Sequence, residues 1–371
     1  MRHFESLKLI RFRRLSGVAL EDFGDFNLLV GPNNSGKTSV LEALALACAP
    51  LDLANWIGVA WDREIKSART PVAESLKWFF PQLGNSAVGR LLSAKIELES
   101  FGTLPYRRVA ATYEEFFQFK ADNEGDQPNQ GVRIQLESLD WPPPPSPPPP
   151  KKPGVFNLVP RPLPNRYEFS FSGDPKFDDY YAGPSLPHSF VSTVSHRTKH
   201  EPLRQLSDAI EAGGRNEIEV ALRKFDPSIE SVEIVSPRGQ STVVKVRHDH
   251  LGLVPLSAEG DGLRRFLTLA AAAVSAKGGV LLIDEIETAL HTSVLAEAFR
   301  YLVAICREHK VQLFATTHSL EAIDAMLAGA GEAVDDMVVF RLAGAGSSAP
   351  MKRFSGRLAH DIRFEHGSDL R

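Results

Sequence analysis

The stretch LLVGPNNSGKTSVLEAL, residues 28–44, decides how the chain is read. Apolar residues run into a glycine-rich turn, Lys37 and Thr38 follow, and an apolar-periodic segment comes next. The spacing G-x-x-x-x-G-K-[ST] spans Gly31 to Thr38, between a predicted strand and a predicted helix. That context separates a phosphate cradle from an ordinary turn of Asn33, Asn34, Ser35 and Gly36. Gly31 and Gly36 let the backbone wrap so that successive N–H groups face inward, and the helix adds its positive N-terminal end. The segment Gly31, Pro32, Asn33, Asn34, Ser35, Gly36, Lys37, Thr38 and Ser39 is therefore the expected nucleotide-binding loop. Lys37 is suited to reach the β- and γ-phosphates, and the Thr38 hydroxyl to ligate Mg²⁺.

A second signal lies far downstream, in GGVLLIDEIETALH, residues 278–291. Its apolar strand ends in Asp284 and Glu285, which puts two carboxylates at the carboxyl edge of a buried strand, where open α/β sheets bind ligands. Asp284 is expected to hold Mg²⁺ through its water shell and Glu285 to polarise the attacking water. The alternative for the pair is a set of acidic helix caps. Another apolar strand, VQLFATTHS, ends at His318, which from the same edge can hydrogen-bond a γ-phosphate. Expected catalytic residues are thus Glu285, His318 and Lys37; expected metal-contacting residues are Thr38 and Asp284.

Buried all-apolar strands alternating with helices predict an α/β P-loop NTPase: a mostly parallel sheet, an N-terminal antiparallel β subdomain and a helical and irregular inserted lobe. Residues 1–50 form the N-terminal strands and P-loop part of the core, 51–188 the inserted lobe, 189–345 the second part of the core and 346–371 a tail. Within the lobe, SAKIELES, YRRVAATYEEFFQF and GVRIQLESL alternate as strands, and Trp56, Trp61 and Trp78 are expected to anchor its packing. The tract WPPPPSPPPPKKPG, residues 141–154, is expected to be an exposed polyproline spacer or a docking ligand. The run AAAAVSA is read as part of an amphipathic helix.

Composition bounds the class of protein. The chain has 371 residues, 43% hydrophobic and 24% charged, as in soluble globular proteins. A net charge of −4 brings no global basic field for nucleic acid. Lys8, Arg11, Arg13 and Arg14 form one local basic patch, read first as the solvated face of a strand. Cys48 and Cys306 are expected to be buried, unpaired thiols, in keeping with a reducing compartment. No signal core or membrane span is read, so a cytoplasmic protein without a membrane partner is expected. A GTPase is disfavoured, since the nearest string to N-K-x-D after the P-loop is TKHE, residues 198–201. The histidines of HRTKH and RHDH are expected at the surface, without a complete metal-ligand set.

Taken in order, GPNNSGKT, LSAEGDGLRR (residues 256–265), VLLIDEIETALH and ATTHS resemble an ABC-type ATPase head domain. The closer resemblance is to the RecF- and OLD-like branch of stand-alone AAA-family ATPases. DEIETALH in place of an acidic pair followed by proline, and the degenerate SAEGDG in place of a full signature, favour that branch over transporter ATPases. The likeness covers residues about 4–44 and 190–342. It implies a homodimer in which two heads sandwich ATP, the signature of one head meeting the γ-phosphate held by the other. Ser257 and Gly260, with Gly262, would be those trans contacts, with a helix cap as the plainer reading of Ser257. By the same likeness the protein would control a separate effector, such as a nuclease, in genome maintenance or antiviral (anti-phage) defence. Roughly fifty residues follow His318, too few for the nuclease module of OLD-type proteins, so no nuclease activity of its own is expected. An ATP-dependent clamp on nucleic acid and, less favoured, a transporter ATPase subunit are the alternatives. The Mg²⁺-contacting glutamine of ABC heads is unassigned; Gln82 and Gln118 lie in the right region.

Overall fold

The computed structural model describes residues 2–61, 71–81, 93–103, 106–118, 129–141, 165–171, 185–198, 200–236, 241–343 and 351–371. The chain opens with β1 (Phe4–Phe12), β2 (Leu15–Leu20), β3 (Phe26–Val30) and α1 (Lys37–Cys48). Next come α2 (Leu53–Trp61), α3 (Val72–Lys77), β4 (Ser93–Gly102), β5 (Tyr106–Gln118), β6 (Asn129–Trp141) and β7 (Asn165–Phe171). β8 (His188–Val191), α4 (Glu201–Glu211), α5 (Arg215–Phe225), β9 (Ile229–Val235), β10 (Val243–His248), β11 (Gly252–Pro255) and α6 (Asp261–Ser275) follow. The rest is β12 (Val280–Ile283), α7 (Thr292–Glu308), β13 (Gln312–Thr317), α8 (Leu320–Ala330), β14 (Met337–Arg341), β15 (Lys352–Ser355) and α9 (Gly356–Phe364).

Contacts group the chain into two units, one of Phe23–Cys48 with Leu186–Arg371 and the other of Arg2–Asp22 with Ala49–Ser185. The first unit is built on a sheet of order β15-β14-β3-β13-β12-β8. Every pairing from β14 to β8 is parallel, and only β15 runs antiparallel at the edge. β3, β12 and β13 are buried along their whole length, as continuous apolar runs in a two-sided parallel sheet require. Helix α6 is buried on almost every side from Leu263 to Val274. The alanine run is thus the centre of a core helix and not one face of an amphipathic one, since small side chains let its neighbours close in from all directions. The breaks at Gly213 and Gly214 separate α4 from α5, and β9, β10 and β11 form a small antiparallel sheet. Residues 352–364, expected within a tail, carry β15 and α9; Arg363 grips Asp324 on α8 with two hydrogen bonds of 2.7 and 2.9 Å.

The second unit is an antiparallel sheet of order β2-β1-β4-β5-β6-β7 with α2 and α3. Its described part is thus mainly strand, more than the helical and irregular lobe expected, because strict alternation in β4 to β7 buries one face. Leu7, Leu9, Ile96, Leu98, Ile134 and Leu136 line that face. The opposite face carries acids and bases in register: Lys8 opposite Glu99, Arg11 opposite Glu97, Glu114 opposite Arg133 and Glu137 opposite Arg166. Trp56 is buried against Phe79, but Trp78 is 55% exposed and anchors nothing in the core. The proline tract beyond Trp141 and Gln82 lie outside the described residues, as does the side chain of Gln118.

Candidate active site

Three strands of the first unit deliver the site. The parallel register sets Thr317 of β13 beside Val30 of β3, and Ile283 of β12 beside Ala315 of β13. The carboxyl ends of β3, β12 and β13 therefore open at one edge, and the loop Gly31–Gly36, Asp284 and His318 follow from them.

In the loop, Gly31 has φ +143° and Gly36 φ +92°, values that L side chains rarely adopt. A Cβ at Gly31 would also lie 2.5 Å from the Leu342 carbonyl oxygen, so glycine is required there twice over. Asn34 takes a left-handed φ of 63°, which asparagine tolerates better than most residues. Pro32, Asn33 and Asn34 are exposed, Ser35 and Lys37 are buried, and Gly36, Thr38 and Ser39 lie between. The Ser35 hydroxyl has no partner among the described residues. Lys37 Nζ donates to the carbonyls of Gly31 (2.8 Å) and Pro32 (2.9 Å), curling back over the loop. Burial holds its pKa below the ordinary lysine value, opposed by the carboxylates of Asp284, Glu285 and Glu287. Two neutral carbonyls leave the ammonium charge available to an anion.

Asp284 meets the loop directly. Thr38 Oγ1 donates at 3.0 and 3.1 Å to the two Asp284 carboxylate oxygens, and Thr316 Oγ1 donates to Oδ1 at 2.6 Å. Thr316 Oγ1 also accepts the Glu285 N–H at 2.9 Å, while its carbonyl accepts the N–H of Ile286 at 3.1 Å. Glu285 has φ 44°, an uncommon conformation for a residue with a long side chain. His318 Nδ1 stands 3.6 Å from Oε1 of Glu285 and 3.6 Å from Oε1 of Glu287. Glu287 accepts the Thr317 hydroxyl at 2.8 Å, and its Oε2 is buried without a partner among the described residues.

The structure thus brings Lys37, Thr38, Asp284, Glu285 and His318 to one sheet edge. Ser257 and Gly260 sit apart from this hydrogen-bonded cluster on an exposed turn, Ser257 in the 3-10 segment Leu256–Ala258 and Gly260 as the N-cap of α6. Ser257 is therefore not the helix cap, the plainer reading of that residue. His248 Nε2 and Glu259 Oε1, 2.9 Å apart, anchor the turn to β10. Sequence reasoning passed over Glu287, Thr316 and Thr317, although all three stand inside DEIE and ATTH. It also passed over Arg265, whose buried guanidinium signals itself only through three-dimensional neighbours. The histidines expected at the surface divide: His250 is exposed, but His196 is 0% and His248 4% exposed, enclosed by the packing around α6 and by β10.

The donor set fits a nucleotide with Mg²⁺. A hard cation takes oxygen ligands, and Mg²⁺ is commonly held by one or two carboxylates plus substrate phosphates. The Thr38 hydroxyl and Asp284 carboxylate already converge, beside an ammonium and the start of α1. Among the described residues no group of three His, Cys, Asp or Glu side chains is placed to hold a metal alone.

A glycine-rich loop between a parallel strand and a helix, answered across the sheet by an Asp-Glu pair, defines a P-loop nucleotide hydrolase. Residues 26–85 and 103–324 match the family described as "AAA domain, putative AbiEii toxin, Type IV TA system", and the chain belongs to that family. It is an AAA-family ATPase. An ATP/GTP phosphatase of Helicobacter pylori is 21% identical over 336 residues, covering 86% of each chain. An uncharacterised protein of Methanocaldococcus jannaschii is 33% identical over 114 residues, 30% of this chain and 98% of its own length. Among solved structures, the Smc head domain with an extended coiled coil bound to the C-terminal domain of ScpA, derived from Pyrococcus furiosus, aligns with a TM-score of 0.47 at 12% identity, covering 99% of this chain and 100% of that one.

Proposed function

We propose that the protein is an ATP-driven dimeric switch in which Glu285 activates water against an ATP held by Gly31–Ser39. The observation that carries this reading is the continuous chain from Thr38 through Asp284 and Thr316 to the Glu285 backbone, with His318 beside the Glu285 carboxylate. Thr38 and Asp284 would hold Mg²⁺, which when bound draws charge from the phosphate oxygens. Lys37 neutralises the phosphates, Glu285 takes the proton from water, and His318 senses the γ-phosphate while staying within reach of Glu285 and Glu287. The exposed turn of Ser257 and Gly260, with the half-buried Gly262 in the first turn of α6, offers a helix N-terminus to the nucleotide of a second copy. Closure by ATP and release by hydrolysis would govern a separate effector, a nuclease being the class suggested, in genome maintenance or anti-phage defence. Both cysteines, Cys48 and Cys306, are buried, which suits a reducing cytoplasm. Among the described residues no helix is long and apolar enough to cross a membrane. For the clamp on nucleic acid, the basic Lys8 and Arg11 stand in register with the acidic Glu99 and Glu97, which offsets part of their charge.

The test is Glu285→Gln, assayed for ATP turnover and for nucleotide binding. Binding retained with turnover reduced by about 10²–10⁴-fold supports the assignment, the scale for losing a general base. Unchanged turnover overturns it.

A further inference from the structure

Arg265 lies on α6 five residues beyond the N-cap Gly260 and is 0% exposed. A buried guanidinium is costly unless its donors are satisfied, and a carboxylate is its ordinary partner. Here the hydrogen-bond partners are backbone carbonyls. One terminal nitrogen donates to Ser192 O at 2.5 Å, and the other to Asp284 O at 3.0 Å and Glu285 O at 3.2 Å. Nε has no partner among the described residues. Burial pulls the pKa down to about 10, against the fields of Asp284, Glu287 and Glu285, so the group remains a cation at neutral pH.

These contacts meet a peptide whose geometry needs support. Glu285, at φ 44°, is held by its N–H on Thr316 Oγ1 and by its carbonyl on Arg265 and on the N–H of Thr288 at 2.9 Å. Left-handed backbone at a non-glycine residue persists only when its surroundings over-determine it. The start of α6 also touches the far end of the same turn: a Cβ on Gly262 would lie 3.3 Å from the Ala289 carbonyl oxygen. Helix α6 thus holds the turn 284–289 through Arg265 and runs close to its far end at Gly262.

We propose that Arg265 is a positioning residue: one terminal nitrogen on the carbonyls of Asp284 and Glu285, with the other on Ser192 O, fixes the Glu285 peptide to α6, so that the placement of the segment Ser257–Gly262 at the head of α6 sets the aim of the Glu285 carboxylate. The inference rests on Glu285 acting as the base. It makes hydrolysis depend on α6, whereas nucleotide binding depends on the loop Gly31–Ser39.

The experiment compares the full chain with Arg265→Lys, Arg265→Met, Glu285→Gln and Arg265→Met/Glu285→Gln, scoring melting temperature, nucleotide affinity, kcat and KM for ATP. Arg265→Met is expected to lose about 10²-fold in kcat, the scale of a roughly 1 Å misplacement, with nucleotide affinity unchanged within about threefold, ordinary scatter for an uninvolved site. Arg265→Lys, which supplies a cation but has a single nitrogen and cannot bridge Ser192 O and the two turn carbonyls at once, is expected to recover part of kcat. In the Glu285→Gln background Arg265→Met should subtract almost nothing further, since the two act as one unit. A folded Arg265→Lys or Arg265→Met protein with parental kcat overturns the proposal, as does a full second loss in the double variant. Should Arg265→Met fail to fold, Arg265→Lys decides alone: lowered kcat at unchanged affinity supports the proposal, and parental kcat overturns it. If Glu285→Gln keeps parental turnover, the base assignment itself falls and the proposal falls with it.

Discussion

Replacing Thr316 by valine is nearly isosteric and removes one hydroxyl from a fully buried position. That hydroxyl donates to Asp284 Oδ1 at 2.6 Å and accepts the Glu285 N–H at 2.9 Å. A hydrogen bond to a charged group contributes about 1.5–3 kcal/mol, and a buried N–H left without a partner costs about 1–3 kcal/mol. Asp284 keeps its two contacts with Thr38 and is only partly buried, which offsets some of the loss. The net expectation is about 3 kcal/mol of destabilisation, read as roughly 4 °C in the melting temperature of a chain this size. Turnover should fall about tenfold or more, because the Glu285 peptide loses its N-terminal anchor. Thr316→Ser retains the hydroxyl and gives up one methyl group, about 1 kcal/mol, so it should recover most of both effects. Thermal melts and steady-state ATPase assays on the three proteins supply the comparison. A valine variant that melts with the parent and turns over ATP at the parental rate refutes the reasoning.

His196 is enclosed, its ring nitrogens have no partners among the described residues, and burial with help from Arg265 pushes its pKa down to about 4. Its folded pKa is below the unfolded value of about 6.5, so its contribution is intact above that pH and is lost as pH falls toward 4, by at most about 3 kcal/mol. Urea midpoints across pH 7.5 to 4 should drop less steeply in His196→Phe; an identical slope contradicts this. Lys37→Met should lose nucleotide binding yet melt no lower than the parent, because it removes a desolvated ammonium whose partners are two neutral carbonyls; a large drop in melting temperature contradicts it. Arg363→Met should cost about 1 kcal/mol through the bidentate contact with Asp324, and unchanged denaturant midpoints would show that α9 is held by other means.

The parts of the site that could be read from sequence are those whose chemistry is contiguous. Gly31 to Thr38 carries turn geometry, donor and hydroxyl within one short segment, and Asp284-Glu285 ends a run of apolar residues that can only be a buried strand. Arg265 could not be read that way. In LSAEGDGLRR it is one of two adjacent arginines on a helix, and only packing decides that Arg265 is enclosed while Arg264 is partly exposed. Thr316 and Thr317 look like ordinary strand residues until the parallel register sets them beside Asp284 and Glu287. The same limit applies to the fold. Alternation announced β4, β5 and β6, whereas β7, β11 and β15 are short segments that become strands by pairing with the preceding β6, β10 and β14. Trp78 shows the converse error, a large apolar residue whose size alone suggested burial.

The most direct test of an ATP-driven switch is the solution mass of the Glu285→Gln protein by light scattering in Mg-ATP and in Mg-ADP. The account predicts a mass that doubles in Mg-ATP alone. A mass that is the same with either nucleotide, monomeric or dimeric, contradicts it.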